Sequence, residues 1–147
     1  MKFIKILLPI VIVVLVISFA YSFFNISGRE IKFIDKLSQA KSVTIIVTNE
    51  ETNEKEEYEL NAMQKERLRK LIEENSYTRR LSSTIVGILP EKRYTIFVNW
   101  ADGGKKHLQI SLLGGEYIQV SGEFGSHYHK IKNPDFEKEL ISILEAG

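Results

Sequence analysis

Residues 6–24, ILLPIVIVVLVISFAYSFF, run for nineteen positions without a charge, and no other stretch limits the possible folds of this chain so strongly. A helix of that length rises about 28 Å at 1.5 Å per residue, close to the ~30 Å hydrocarbon thickness of a bilayer. Helices of soluble proteins are rarely apolar on every side, whereas a spanning helix has to be. Lys2 and Lys5 stand before the run and Arg29 is the next charge after it. The sequence therefore predicts a signal-anchor or transmembrane segment within residues 1–28, spanning Ile6 to Phe24, and an extracytoplasmic domain over 29–147. Lys2 and Lys5 favour a cytoplasmic N-terminus, a bias that Arg29 and Lys32 weaken.

The competing expectation is a secreted protein. Ser18 and Ala20 offer small side chains two apart, the pattern required for cleavage near Ala20. Phe19, Tyr21, Phe23 and Phe24 argue for the anchor instead. They carry the apolar character past that point, and aromatic residues suit the membrane–water interface.

The remaining 119 residues are enough to bury a core without staples. The whole chain holds 20 Lys+Arg against 19 Asp+Glu, and without Lys2 and Lys5 the domain is near neutral. That balance gives no electrostatic footprint for nucleic acid, so none is expected as a partner. The chain has no cysteine, which excludes disulfides, thiol catalysis, cysteine zinc sites and a lipid-modified N-terminal cysteine. Any tether has to be the helix itself.

Along the domain the patterns change from segment to segment in a readable way. Glu30–Ala40 places Ile31, Ile34 and Leu37 at helical spacing and predicts a short helix. Ser42–Thr48 (SVTIIVT) is rich in β-branched residues and predicts a strand, with a return strand near Glu56–Leu60 after the polar NEETNEKE. That acidic run lacks the spacing and central glycine of a calcium loop and reads as a solvated connection. In Asn61–Asn75, Asn61 and Gln64 form a capping-box pattern, Leu68, Leu71 and Ile72 a buried stripe, and Lys65, Glu66, Arg69, Lys70 and Glu73 a solvated face. Strands follow from Tyr77. Tyr94, Ile96, Val98 and Trp100 alternate with Arg93, Thr95, Phe97 and Asn99, and a turn at Asp102-Gly103-Gly104 leads to Leu108, Ile110 and Leu112. Gly114-Gly115 turns the chain again towards Ile118 and Val120. A last strand near His127–Lys132 precedes Pro134, placed at the first position of a helix with Phe136, Leu140, Ile141 and Leu144 on one stripe. The expected class is α+β, an antiparallel meander packed with about three helices.

Candidate chemistry is sparse. His127 and His129 are two apart and share a strand face, so with His107, Glu123 or Asp102 they are weak candidates for zinc or copper ligands. Their parity with Ile131 equally fits a half-buried strand face. No GxSxG elbow or phosphate loop exists, and Gly103-Gly104-Lys105 precedes a strand rather than a helix. No catalytic residue and no cofactor is assigned. Arg79-Arg80 suits either an anion grip or the guarding of an edge strand. The stronger candidate is a surface, the side of the meander that displays Phe97, Asn99, Gln109, Ser111, Tyr117 and Gln119.

KFIDKLSQAKSVTI, LRKLIEENSYTRR with its following strand, and HYHKIKNPDFEKELISIL together resemble small membrane-anchored or secreted domains of unknown function from Gram-positive bacteria. The resemblance spans roughly residues 30–146 and is structural in character, so it implies no active-site residues. Many such domains are tethered through a lipidated cysteine, which this chain lacks. The expectation is a non-enzymatic binding or sensing module of the cell envelope, held in the lipid bilayer and facing an envelope protein or ligand. The alternatives are an envelope hydrolase or metal-dependent enzyme using His127 and His129, and an immunity or inhibitor protein against a secreted toxin.

Overall fold

The computed structural model describes residues 2–81, 90–100, 107–121 and 128–147. The turn expected at Asp102-Gly103-Gly104 lies outside these residues, as do Glu123 and His127.

An apolar helix, α1 (Lys2–Phe24), passes without a linking residue into the first strand, β1 (Asn25–Ser27). The strands that follow are β2 (Ser42–Asn49), β3 (Lys55–Glu59), β4 (Ser76–Arg79), β5 (Lys92–Asn99), β6 (His107–Leu113), β7 (Tyr117–Val120) and β8 (His129–Ile131). They form one antiparallel sheet in the order β1-β4-β8-β7-β6-β5-β2-β3. The fold is α+β, as the alternation predicts. The sheet also takes in Asn25–Ser27, which precede the boundary drawn at Arg29.

Side chains along a strand alternate between faces, so one face collects the apolar set. Val43, Ile45 and Val47 meet Tyr94, Ile96 and Val98, and these meet Leu108, Ile110 and Leu112 in register; all nine are buried. Ile118, Val120, Ile131, Tyr77 and Ile26 extend the same core towards β1. Trp100 closes one end, with its indole N–H donating to the Lys36 carbonyl at 3.3 Å and its ring 5.7 Å from that of Phe33.

Helices α2 (Ala62–Glu73) and α3 (Phe136–Glu145) bury Leu68, Leu71, Ile72, Phe136, Leu140, Ile143 and Leu144 in this core. The capping box of α2 forms as expected: Gln64 N–H donates to Asn61 Oδ1 at 3.0 Å, and Asn61 N–H donates to Gln64 Oε1 at 2.9 Å. Gln64 does more than cap. Only 4 % exposed, it also donates Nε2 to the Ile143 carbonyl at 2.8 Å, tying the start of α2 to the end of α3. The solvated face of α2 is partly structured, because Arg69 pairs with both Glu66 and Glu73. The Arg69 guanidinium holds the Glu66 carboxyl below its ordinary range.

Three expectations are corrected. Glu30–Ala40 is not an α-helix: 3-10 helices form at Gly28–Glu30 and Ile34–Gln39 instead. The buried residues are Ile31, Ile34, Leu37 and Ala40, a period of three that matches three residues per turn rather than 3.6. Phe33 separates the two helices in a left-handed conformation at φ 69°. In α3, Ile143 rather than Ile141 completes the buried stripe, since Phe136, Leu140 and Ile143 fall three to four apart. Pro134 lies one residue before the N-cap, Asp135, and so outside the helix.

The junction after α1 depends on one glycine. Gly28 N–H donates to the Asn75 carbonyl at 2.9 Å, and a Cβ on Gly28 would lie 1.8 Å from the Ile72 carbonyl oxygen. The Tyr77 hydroxyl donates to that same oxygen at 2.8 Å.

Two outcomes are expected for the full chain in detergent. Gly28→Ala forces backbone apart and lowers the melting temperature by an amount equivalent to roughly 2–4 kcal/mol. Gln64→Leu, which leaves the Ile143 carbonyl and the Asn61 N–H without their side-chain partner, costs about 2 kcal/mol. Gln64→Glu keeps the capping acceptor but turns a buried carboxylate towards the Ile143 carbonyl oxygen, so at neutral pH calorimetry should find it at least as destabilised as Gln64→Leu.

Candidate functional site

The alternation that buries the inner face leaves the odd-numbered residues of β5, β6 and β7 on the other side of the sheet. Phe97 pairs in register with Thr44 on β2 and Gln109 on β6, and Asn99 pairs with Ser42 and His107. Phe97 is 41 % exposed, and Asn99 and Gln109 are exposed with it, so no described element covers this part of the face. A depression of about 450 Å³ opens here, with Phe97 and Gln109 among the residues that line it. Its backbone is held rigidly, because β5 has strand neighbours on both sides.

The predicted surface residues do not form one patch. Gln119 pairs with Ser111, and Tyr117 pairs with Leu113 and Lys130. Tyr117 thus lies two strands across and four residues along from Phe97, roughly 17 Å away at ordinary strand spacings. Leu113 is buried and Tyr117 and Gln119 are half-buried, so that end of the face is less open than the end at Phe97. Phe97, Asn99 and Gln109 are the part of the expected surface that is open to a partner.

The histidines fall in different places. His129 is fully buried, between its register partners Arg79 and Ile118. His107 opens β6 opposite Asn99. Ile118 pairs with both His129 and Leu112, which sets His107 two strands across and five residues along from His129, roughly 20 Å away. One ion with bonds near 2.1 Å cannot take both. Among the described residues, no group of three His, Asp or Glu side chains is placed to hold a metal. The buried tyrosines are not acid–base candidates. Burial pushes the Tyr77 and Tyr94 hydroxyls above their ordinary range, and for Tyr94 the hydrogen bond it donates to Glu137 at 2.9 Å adds to the effect. Both stay protonated donors that position α2 and α3.

A second depression, about 470 Å³, lies between α2 and α3 among side chains of both signs, including Arg67, Lys70, Glu74 and Lys138.

At the other end of the molecule, α1 has one window long and apolar enough to cross a membrane: Leu7–Phe24, of mean hydropathy 2.6, with none of it buried in the domain. The helix end is tied to the sheet. Asn25 Nδ2 donates to the Tyr21 carbonyl at 2.9 Å, Lys132 Nζ donates to Asn25 Oδ1 at 2.5 Å, and the Arg79 guanidinium lies 4.3 Å from the Phe23 ring centroid. Of the two readings of Arg79-Arg80, the guarding of an edge strand does not fit, because β4 lies between β1 and β8. Sequence reasoning missed this cluster. Its only local signal was the Arg79-Arg80 pair, and strand order decides what that pair meets.

Comparison of this chain with models of protein families, with curated proteins and with solved structures returned no match.

If the Phe97 region is open, truncating it leaves stability almost unchanged. Phe97→Ala should shift the stability of the full chain by less than about 1 kcal/mol, against about 3–5 kcal/mol for Phe136→Ala in the core. Denaturant titration of the two variants separates these values.

Proposed function

We propose that this chain is a membrane-anchored, extracytoplasmic binding module of the cell envelope. In this reading α1 spans the bilayer with its N-terminus in the cytoplasm, and the uncovered part of the sheet takes an envelope protein. The observation that carries it is Phe97, 41 % exposed on a rigid strand between Thr44 and Gln109. An exposed aromatic ring among amides is the composition that interface centres favour, since the ring contributes area and the amides give directed hydrogen bonds. Burying the exposed 41 % of Phe97 contributes about 1 kcal/mol. The likeness to small anchored domains of Gram-positive bacteria belongs to this reading and supplies no residue roles.

Orientation can be measured directly because the chain has no cysteine of its own. A single cysteine at Glu51, exposed in the β2–β3 connection, should react with a membrane-impermeant maleimide in intact cells. Labelling only after lysis places the domain on the cytoplasmic side. N-terminal sequencing of the mature protein should find the anchor retained, and a chain beginning at Tyr21 replaces the anchor with secretion. For the partner, a photo-crosslinking residue at Phe97 should capture an envelope protein that the same residue at the exposed Met63 on α2 does not. Recovery of no envelope component from Phe97, or equal capture from Met63, removes the binding reading.

A further inference from the structure

The near-neutral total conceals a strong separation of charge across the sheet. One edge is β3, and the β2–β3 connection with β3 itself, Asn49–Glu59, holds six glutamates against one lysine. The other edge is β1 with β4 and β8. The segments that build it or adjoin it in sequence, residues 25–32, 76–80 and 128–132, hold Arg29, Lys32, Arg79, Arg80, Lys130 and Lys132 against Glu30 alone. Seven strand spacings of about 4.8 Å put the two edges roughly 34 Å apart. That is several times the ~8 Å screening length at physiological salt, so the acidic edge does not cancel the basic one.

The basic edge is also where α1 leaves the domain. The helix runs directly into β1 and packs against β1 and β4. Two of the six cations are attached to its last turns, Arg79 over the Phe23 ring and Lys132 through Asn25, whose amide also caps Tyr21. Arg80 lies 5.2 Å from the Tyr117 ring centroid, and Tyr117 pairs with Lys130. Among the described residues none of the six forms an ion pair with a carboxylate, although Arg69 and Arg93 elsewhere do. Arg79 Nε is buried with no hydrogen-bond partner among the described residues. Cations held beside an apolar, aromatic-ended helix, with no carboxylate paired to them among the described residues, match the phosphates of a bilayer surface in charge.

We propose that the β1–β4–β8 edge is a headgroup-binding belt, which seats the domain on anionic phospholipids of the leaflet from which α1 emerges. Arg79 and Lys132 contact the phosphates nearest the helix, and Arg80 and Lys130 those beyond. The acidic β3 edge, repelled by the same surface, points away from it, so the domain stands in one orientation with the Phe97 region held at a constant height. This rests on the reading of α1 as a membrane span.

The test uses the full chain in vesicles of phosphatidylcholine alone or with phosphatidylglycerol, carrying a single cysteine at Ser76, an exposed position of β4. An uncharged, water-soluble maleimide should label Ser76→Cys slower in the anionic vesicles by on the order of tenfold. Salt at about 0.5 M should erase the difference. The rate for Glu51→Cys should be the same in both vesicles. Arg79→Gln with Lys132→Gln should restore fast labelling at position 76, and Arg79→Lys should keep it slow, which separates loss of charge from loss of fold. Equal rates in the two lipids overturn the belt, and so does a slowing that survives the double substitution. Inorganic phosphate that slows labelling equally in neutral vesicles overturns the assignment to lipid and makes the edge a free-phosphate site. A chain that fails to float with neutral vesicles removes the anchor reading and the belt together, whereas floating with equal rates removes the belt alone.

Discussion

Burial of one face of the central strands sets the terms for everything packed around them. Val43, Ile45 and Val47, then Tyr94, Ile96 and Val98, then Leu108, Ile110 and Leu112 all withdraw from water on the same side. Because side chains alternate strictly, burying this face forces the intervening residues onto the other, and a slip of one residue in any strand would exchange them. Helices α2 and α3 and the 3-10 segment at 34–39 cover the apolar side, and each is anchored where it does so. Gln64 joins α2 to α3, Tyr94 reaches Glu137, and Tyr77 and Gly28 converge on the Ile72 carbonyl. The exposure of Phe97 is a consequence of the same constraint, since its neighbours Ile96 and Val98 are committed to the core.

The junction at residues 24–28 transmits that rigidity to the helix. An anchor joined by a flexible linker would leave a domain free to tumble. Here the chain leaves the apolar helix and enters a hydrogen-bonded strand at the next residue, Ile26 is buried in the core, and Gly28 packs backbone to backbone against the end of α2. The position of the domain relative to α1 is therefore part of the fold, and so is the placement of Arg79 and Lys132 at the helix end.

Much of the fold was legible because its local signals agreed with their tertiary surroundings. The capping residues Asn61 and Gln64 are read within four positions of each other, and strands β5, β6 and β7 show period-two alternation that only a sheet with one buried face explains. The segment 30–40 misled because spacings of three are shared by α and 3-10 helices over so short a stretch; the choice was made by contacts of Ile31, Ile34, Leu37 and Ala40 with the core. Ile141 and Ile143 are both apolar and both near the stripe, so rotation of α3 against the sheet decided between them. The candidate surface was legible as a face and not as a patch: parity named Phe97 and Tyr117 alike, but the two differ in exposure. The histidines could not be placed at all from spacing, since register alone sets His107 and His129 roughly 20 Å apart.

By itself the sequence determined an uncharged apolar run over residues 6–24, a domain with no cysteine chemistry, and which residues of each central strand face inward, because hydropathy and alternation are properties of neighbours along the chain. Strand order belongs to the tertiary structure alone. It put β1 beside β4 and β4 beside β8, brought Arg79 and Lys132 from distant segments to the end of α1, and sent the glutamates of β3 to the far edge. The physical reason is that charge and exposure are summed over neighbours in space, and an antiparallel sheet of eight strands brings together residues more than a hundred positions apart, as Asn25 and Lys132 show.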